Sequence, residues 1–492
     1  MKKQLTVFLI ALFVLGVSFA IVPKKANAIP AFAQKYHFSC AVCHTVFPNL
    51  NPFGRAFWRN GFRLPGTNGT PADATQITKG LSLPNPWPVP IMIEANIAYL
   101  HQGNESIATP GFVDNGNTGQ TDGFNDKLGL VAGGAFKIYS PLSNSISFYV
   151  HTGATNGSAI KNNQVWASLN GLGSGFGIAP HLLNLKLGII TTASPYFYRQ
   201  MMDWNSVGPV ANGQGLNIGY DGEATQLIHA QNPGIELYGT PGYHLWYKVT
   251  MTNDQGNPTP VADSINGPIA YPGITVTNGE ANGTTSNAME YSYQLKEYYP
   301  VPVGQLEFGY YGATIAEPLQ VTTAAYPTGE SWTDRITVNG IDVDLANDIY
   351  ELGATWMEQN DSNPYAPSNA NVNIFNGLSN NTISNTSNGY SDFEVYGRYL
   401  FPQVGDGLMV YADYATYSWS HKDAQEAFIN GANYTNADLY QSGAYNGNDG
   451  VKDALYLMAE YNLAYNAHLY AGYDFTNHTQ DNTLQTGLFF AF

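Results

Sequence analysis

From residue 89 to residue 492 the chain alternates apolar and polar positions with a period of two, in short segments separated by clusters of Asn, Gly, Thr, Pro and Asp. A period of two puts successive side chains on opposite faces of a strand. Within 89–100, Val89, Ile91, Ile93, Ala95, Ile97 and Tyr99 share one face, and Met92, Glu94 and Asn96 share the other. Ile146, Phe148 and Val150 oppose Ser147, Tyr149 and His151. Leu455, Leu457, Ala459, Tyr461 and Leu463 oppose Tyr456, Met458, Glu460 and Asn462. In the last segment Leu484, Leu488, Phe490 and Phe492 fall together. Alternating segments of about ten residues mark a membrane-spanning barrel.

The connections between segments are uneven. Short turns are predicted at 141–144, 240–242, 300–302, 402–407 and 464–466, and a tight turn near Leu345 divides 334–358 into two strands. Longer polar stretches lie near 102–126, 193–231, 255–287, 316–333, 359–389 and 420–450. Short turns on one side and long loops on the other describe a bacterial outer-membrane barrel, which needs an even strand number; this pattern gives about 16. The predicted fold class is therefore mainly β, an antiparallel barrel over 89–492 in contact with outer-membrane lipid. A secreted β-sandwich or β-helix shares the alternation. Aromatic-rich strands, uneven loops and an apolar last strand favour the barrel.

The first 88 residues have a different texture. Lys2 and Lys3, an apolar run over 5–22 and the small-residue pattern Ala26-Asn27-Ala28 read as a secretory signal over 1–28. A retained membrane anchor is the alternative, but the run is at the short end for a spanning helix. Residues 65–88 hold Pro65, Gly66, Gly69, Pro71, Pro84, Pro86 and Pro88, which is linker chemistry. Between signal and linker, 29–64 is compact, aromatic and basic.

Charge sharpens that division. Charged residues make up 12% of the chain, against about 25% in typical soluble domains. Without residues 1–28, which hold four lysines and no carboxylate, the chain carries 16 basic and 37 acidic residues, a net charge of −21. Residues 29–70 contain Lys35, Arg55, Arg59 and Arg63 and no carboxylate. A basic segment thus precedes an acidic body, which points to different partners for the two parts. No nucleic-acid role is expected, because phosphate binding needs clustered Lys and Arg.

The only two cysteines, Cys40 and Cys43, stand in Cys40-Ala41-Val42-Cys43-His44. Two thiols at this spacing can add to the two vinyl groups of one haem, and the next-door His then reaches the iron as proximal ligand. The alternatives are a disulfide, a thioredoxin-like pair and a zinc site. A thioredoxin-like pair needs a βαβ context, and zinc needs further ligands where only His37 is near. Beyond the motif, Asn51 suits an N-cap, Pro52 the first helical position and Gly61 the stop of a helix. Arg55, Arg59 and Arg63 recur every four residues and share a face, either touching haem propionates or an acidic partner, or facing solvent. Met92 and His151, on the predicted lumen faces of their strands, are the candidate distal iron ligands; a plain lumen-lining role for each, with an open or water-bound iron position, is the alternative. The segment is too short to shield a haem alone, since folds below about 40 residues need outside help. It is therefore predicted to enter the barrel lumen as a plug.

The run Ile29-Pro30-Ala31-Phe32-Ala33, the Cys40–His44 motif, Phe47-Pro48-Asn49-Leu50-Asn51 and Phe53-Gly54-Arg55 resemble the outer-membrane cytochrome c–porin fusions of iron-oxidising bacteria. The close match covers 29–63; the rest agrees in architecture. The resemblance implies one haem c on Cys40 and Cys43 with His44 as proximal ligand. It further implies electron uptake from extracellular Fe(II) and delivery to a periplasmic cytochrome c or small copper protein. The same conduit run outward to a metal, or a diffusion porin plugged by the haem segment, are the competing functions. Glu94, Lys137, Lys186, Lys248, Glu307, Glu394, Arg398 and Asp413 are the predicted lumen residues and suit either. No G-x-S-x-G, H-E-x-x-H or P-loop pattern supports a hydrolase.

Overall fold

The structure is a computed structural model. It describes Phe32, Tyr36 and residues 38–46, 49–64, 75–78, 81–83, 91–102, 122–138, 142–155, 161–193, 231–253, 274–277, 289–323, 326–361, 388–404, 407–419, 453–464, 466–476 and 483–491. The predicted signal, His37 and most of the predicted long loops lie outside these residues.

The described elements begin with a 3₁₀ turn, Cys40–Val42, and a helix, α1, Pro52–Arg59. The strands are β1 Thr75–Thr78, β2 Leu81–Leu83, β3 Met92–Gln102, β4 Asp122–Lys137, β5 Ser145–Thr155, β6 Lys161–Asn170, β7 Asn184–Thr191, β8 Gln231–Gly239, β9 Leu245–Asn253 and β10 Ile274–Thr277. They continue as β11 Met289–Val301, β12 Gly304–Thr323, β13 Tyr326–Ala346, β14 Tyr350–Asp361, β15 Asn388–Phe401, β16 Leu408–Trp419, β17 Asp453–Ala464, β18 Ala467–Thr476 and β19 Thr483–Ala491. Every pairing is antiparallel, and β19 pairs with β3 through Thr483↔Gln102 to Ala491↔Glu94, which closes the ring. β10 is no wall strand: it adds to the outer end of β12, while β9 and β11 pair directly. The wall is therefore a closed barrel of 16 strands, β3–β9 and β11–β19.

The polarity of this barrel is the reverse of a water-soluble one. Its outward positions are apolar: Ile341 is 54% exposed and Leu352 55%, alongside Val343, Phe308, Val395 and Leu457. Its inward positions are polar and buried, with Glu307 at 2% and Asp413 at 1%, alongside Asp344, Glu351 and Glu394. An apolar outer belt around a polar interior is the pattern that lipid selects, because closure satisfies every strand's backbone groups without water. The chain is an outer-membrane β-barrel. The eight predicted lumen residues all lie on the inward face of their strands.

The predicted turns recur at 240–244, at 302–303 and, among described residues, at 402–404, and the turn expected near Leu345 falls at 347–349. Two expectations need correction. The stretch 316–333 is not a loop: β12 and β13 stay paired as far as Thr323↔Tyr326, with one register irregularity between Val321 and Thr323. Strand beyond the bilayer meets water on both faces and so loses the alternation that reveals it. The stretch 65–88 is not wholly irregular either, since β1 and β2 form a small antiparallel hairpin within it. A 13-residue connection, 171–183, joins β6 to β7 on the short-turn side. It carries three glycines with positive φ, which a pattern of alternation does not register.

The belt gives a test. Ile341 lies five residues from the β13–β14 turn, near mid-membrane. Ile341→Arg should cost about 2–4 kcal/mol in urea unfolding from lipid vesicles. An Arg placed on the same belt at a strand end should cost less than about 1 kcal/mol.

Candidate functional site

α1 forms where the sequence predicts it. The Asn51 side-chain oxygen accepts from the Gly54 N–H at 2.9 Å, and Pro52 fills the first helical position. The helix stops in a Schellman arrangement: Gly61 N–H donates to Trp58 O at 2.8 Å and Phe62 N–H to Phe57 O at 3.0 Å. Gly61 takes φ 64° there, the left-handed conformation that glycine adopts without a Cβ penalty.

The Cys40–His44 loop packs on the start of this helix. Cys43 N–H and His44 N–H both donate to Cys40 O, and Asn51 N–H donates to Cys43 O at 2.9 Å. The Asn51 amide also donates to the carbonyls of Ala41 and Val42. A Cβ at Gly54 would collide with the Cys43 carbonyl oxygen, so helix and loop touch backbone to backbone. Both thiols are half-buried. Burial pushes the Cys40 thiol up, and pushes Cys43 to about 11 with help from the neighbouring Cys40 charge. A disulfide-exchange pair needs a thiolate near neutral pH, so these thiols are poorly suited to that chemistry. No group of three or more His, Cys, Asp or Glu side chains that could hold a metal occurs among the described residues, and His37 lies outside them.

The two faces of α1 meet opposite parts of the lumen wall. On one face Arg55 reaches Asp344 Oδ1 at 2.8 Å and Glu351 Oε1 at 2.6 Å, and Arg59 reaches Glu307 Oε2 at 2.7 Å. Arg59 also lies 5.4 Å from the Trp246 ring centroid and 5.9 Å from that of Tyr298. Arg398 pairs with Glu351, and the Tyr396 hydroxyl donates to Asp344. Three guanidinium groups thus face three carboxylates in one buried cluster. Burial works against the Arg55 charge, but Glu351, Asp344 and Glu307 outweigh it and hold its pKa above the ordinary range. From the wall, Arg398 pairs with Glu351; the helix adds two more cations to the cluster. Arg55, Arg59 and Arg63 are 4%, 2% and 1% exposed, which overturns the reading of a solvated basic face.

On the far side, Trp58 and Phe62 pack against Tyr149 and Trp166, with Phe62 and Trp166 stacked at 5.5 Å between centroids and 15° between planes. Ser147 Oγ donates to Gly61 O at 2.6 Å, and Arg63 donates to Pro180 O and Asn184 Oδ1. β5 and β6 are the third and fourth strands of the ring counted from β3; β13 and β14 are the tenth and eleventh. The helix therefore bridges opposite sides of the barrel. Asn51 donates to Asp348 in the β13–β14 turn, and Arg63 donates to Pro180 in the β6–β7 connection. Both contacts lie on the short-turn side, which is periplasmic in bacterial barrels.

The two candidate distal ligands lie on the inward faces of their strands. His151 Nε2 lies 2.8 Å from Glu94 Oε1, six residues into β5. Met92 packs against Phe489 and Ala491 at the end of β19. The inward-facing His468 on β18 was not singled out by the sequence, although the alternation of His468, Tyr470 and Gly472 with Leu469 and Ala471 marks its face.

No family model and no curated protein matches the chain. Among solved structures it is similar to a loop-deletion mutant of OmpT, an outer membrane protein of Vibrio cholerae, with 12% identity, 82% of this chain and 99% of that chain covered, and a TM-score of 0.45. It is likewise similar to a mutant porin of Rh. blastica, with 12% identity, 82% and 100% covered and a TM-score of 0.39. A Salmonella typhi OmpF complex with daunomycin gives 12% identity, 82% and 97% covered and a TM-score of 0.45. On its own closed ring and apolar belt, the chain is a porin-like outer-membrane barrel of 16 strands.

The buried ion pairs set the expected cost of undocking. Arg59→Ala should destabilise the seated segment by about 3 kcal/mol, because buried Glu307 loses its shortest ion pair and keeps Arg55 at 3.9 Å and the Gln305 amide. Adding Glu307→Gln to Arg59→Ala should recover much of that loss, which a double-mutant cycle in urea would read. Equal losses in the single and double variants would mean the pair does not seat the helix.

Proposed function

We propose that the chain is an outer-membrane c-type cytochrome. In this reading it takes electrons from extracellular Fe(II) and passes them, through one haem c on Cys40 and Cys43, to a periplasmic cytochrome or small copper protein. The observation that carries this reading is the keyed fit of the Cys40–His44 segment to the lumen. Arg55 and Arg59 complete the charge of a wall that is acidic without them.

The residues present fit the group. Cys40 and Cys43 lie on one short turn with His44 next to them. Phe38 and Phe53 pack edge to face beside the loop, with Tyr36 stacked on Phe38. Thr45 Oγ1 and Asn49 Nδ2, which lie near His44 and are joined through Thr45 N–H to Asn49 O, are buried without a hydrogen-bond partner among the described residues. Unpartnered buried polar atoms of this kind suit the polar edge of a bound group. Bound there, haem c supplies a one-electron iron couple. His44 would be the proximal ligand, and the periplasmic position of the segment favours exchange with a soluble carrier.

A second reading is a diffusion porin in which the segment plugs the channel. It draws on the polar interior of a 16-stranded ring, which leaves an aqueous channel where nothing fills it. The chemistry separates the two, and so does the direction of electron flow. Purified protein should give a haem-staining band and a ferrous c-type spectrum within a stopped-flow trace after mixing with Fe(II). A haem-bearing protein that Fe(II) leaves ferric would favour outward flow. Steady large conductance in planar bilayers, with no haem stain, would favour the diffusion porin.

A further inference from the structure

At the periplasmic mouth, β17 and β18 bring three ligand-type side chains onto one inward patch. Glu460 and Asn462 stand two residues apart on β17 and so share a face. His468, the second residue of β18, is the register partner of Asn462, and the Cβ atoms of such partners lie about 4.5–5.5 Å apart. Glu460, Asn462 and His468 are 3%, 5% and 5% exposed. The plane of the His468 ring is held by Phe489, on which it stacks at 4.7 Å between centroids and 18° between planes.

The polar atoms of this patch meet acceptor to acceptor. His468 Nδ1 and Asn462 Oδ1 are buried without a hydrogen-bond partner among the described residues. Asn462 Nδ2 lies on the β16 side, 2.9 Å from where a Cβ on Gly407 would stand. The amide oxygen, on the other branch, therefore turns toward β18. Glu460 Oε1 lies 3.4 Å from His468 Nδ1, beyond the usual range of an N–H···O hydrogen bond. A carboxylate and an amide oxygen only accept, and a neutral imidazole keeps a lone pair on one nitrogen. Lone pairs gathered in a buried place are costly unless something electropositive stands among them.

The spacing suits a metal ion. Ligand bonds of about 2.0–2.2 Å at a tetrahedral angle place neighbouring ligand atoms roughly 3.3–3.5 Å apart. The Glu460–His468 separation of 3.4 Å falls in that range. By contrast His151 and Glu94, also inward-facing, approach to 2.8 Å, which is shorter than such an edge and fits a direct contact. One carboxylate oxygen, one amide oxygen and one imidazole nitrogen, with no thiolate, suit a borderline first-row dication. Cu(I) selects sulfur ligands, and Ca2+ takes about six or more oxygens.

We propose that Glu460, Asn462 and His468 form a site for one first-row divalent cation at the periplasmic mouth. Glu460 supplies the negative charge, His468 binds through Nδ1, Asn462 adds its amide oxygen, and water takes the fourth position. The ion ties β17 to β18, one strand away from the β19–β3 seam that closes the ring. The site owes nothing to the Cys40–His44 segment and stands apart from the cytochrome reading.

The test uses the full-length protein in detergent, stripped with a chelator and titrated with Zn2+ against a chromophoric competitor. Heat-modifiable migration on a gel is the folding control, and elemental analysis after dialysis gives the stoichiometry. The wild type should hold one Zn2+ more per chain than His468→Ala. Cys40 and Cys43 are present in both, so any metal they take cancels in the difference. Glu460→Gln should weaken binding by more than about tenfold, the smallest loss typical even of groups behind the ligands. Asn462→Asp, which adds a second carboxylate without removing a ligand atom, should tighten it. Zn2+ should raise the urea midpoint of the wild type and leave that of His468→Ala unmoved. His151→Ala should bind as the wild type does. A folded His468→Ala with the wild-type stoichiometry overturns the proposal. So does an Asn462→Asp variant whose affinity for Zn2+ is unchanged.

Discussion

The arrangement of this protein depends on one buried charge exchange between a short helix and a distant wall. Three carboxylates, Glu307, Asp344 and Glu351, sit inside a barrel whose wall offers them Arg398 as an ion-pair partner and the side chains of Gln305 and Tyr396 as hydrogen-bond donors. Unpaired carboxylates in such a place are costly, because the desolvation penalty of an ion in a low-dielectric interior amounts to several kcal/mol. Arg55 and Arg59 meet that cost from within α1 and so specify where the helix lies and which face it turns to the wall. Everything else about the segment follows from that orientation: which residues meet Trp166 and Tyr149, and on which side the Cys40–His44 loop is left.

The barrel imposes the complementary constraint. Because lipid surrounds the outside, the polar half of every strand must face inward, and the lumen is crowded with groups that need partners. Many find them across strands, as Lys296 does with Asp342 and Lys186 with Glu236. The carboxylates reached by Arg55 and Arg59 are the ones whose partners come from a different part of the chain. That division between self-satisfied wall and segment-satisfied wall locates the functional region more sharply than lumen polarity alone.

Much of this was legible in the sequence, for identifiable reasons. Strand number and inward face follow from a period of two, and the ends of α1 follow from Asn51, Pro52 and Gly61, whose effects act within a few residues. The face shared by Arg55 and Arg59 was visible too, but not its partner, because Glu307, Asp344 and Glu351 lie roughly 250–300 residues away and only closure of the ring brings them together. The extension of β12 and β13 was hidden because water wets both faces there. His468 lay on a readable inward face, yet nothing local distinguished it from any lumen histidine; its relation to Glu460 and Phe489 needs the register of β17, β18 and β19.

A helix pinned to opposite sides of a cylinder has a mechanical meaning as well. An empty ring of strands can flatten toward an ellipse at little cost in hydrogen bonding, since each strand pair tolerates a range of twist. With Asn51 and Arg55 tied at the β13–β14 end and Gly61 and Arg63 tied at the β5–β7 end, α1 acts as a diametral strut across the mouth. Flattening along that diameter compresses the helix, and flattening across it pulls on buried charges. The periplasmic rim is thereby held near one cross-section.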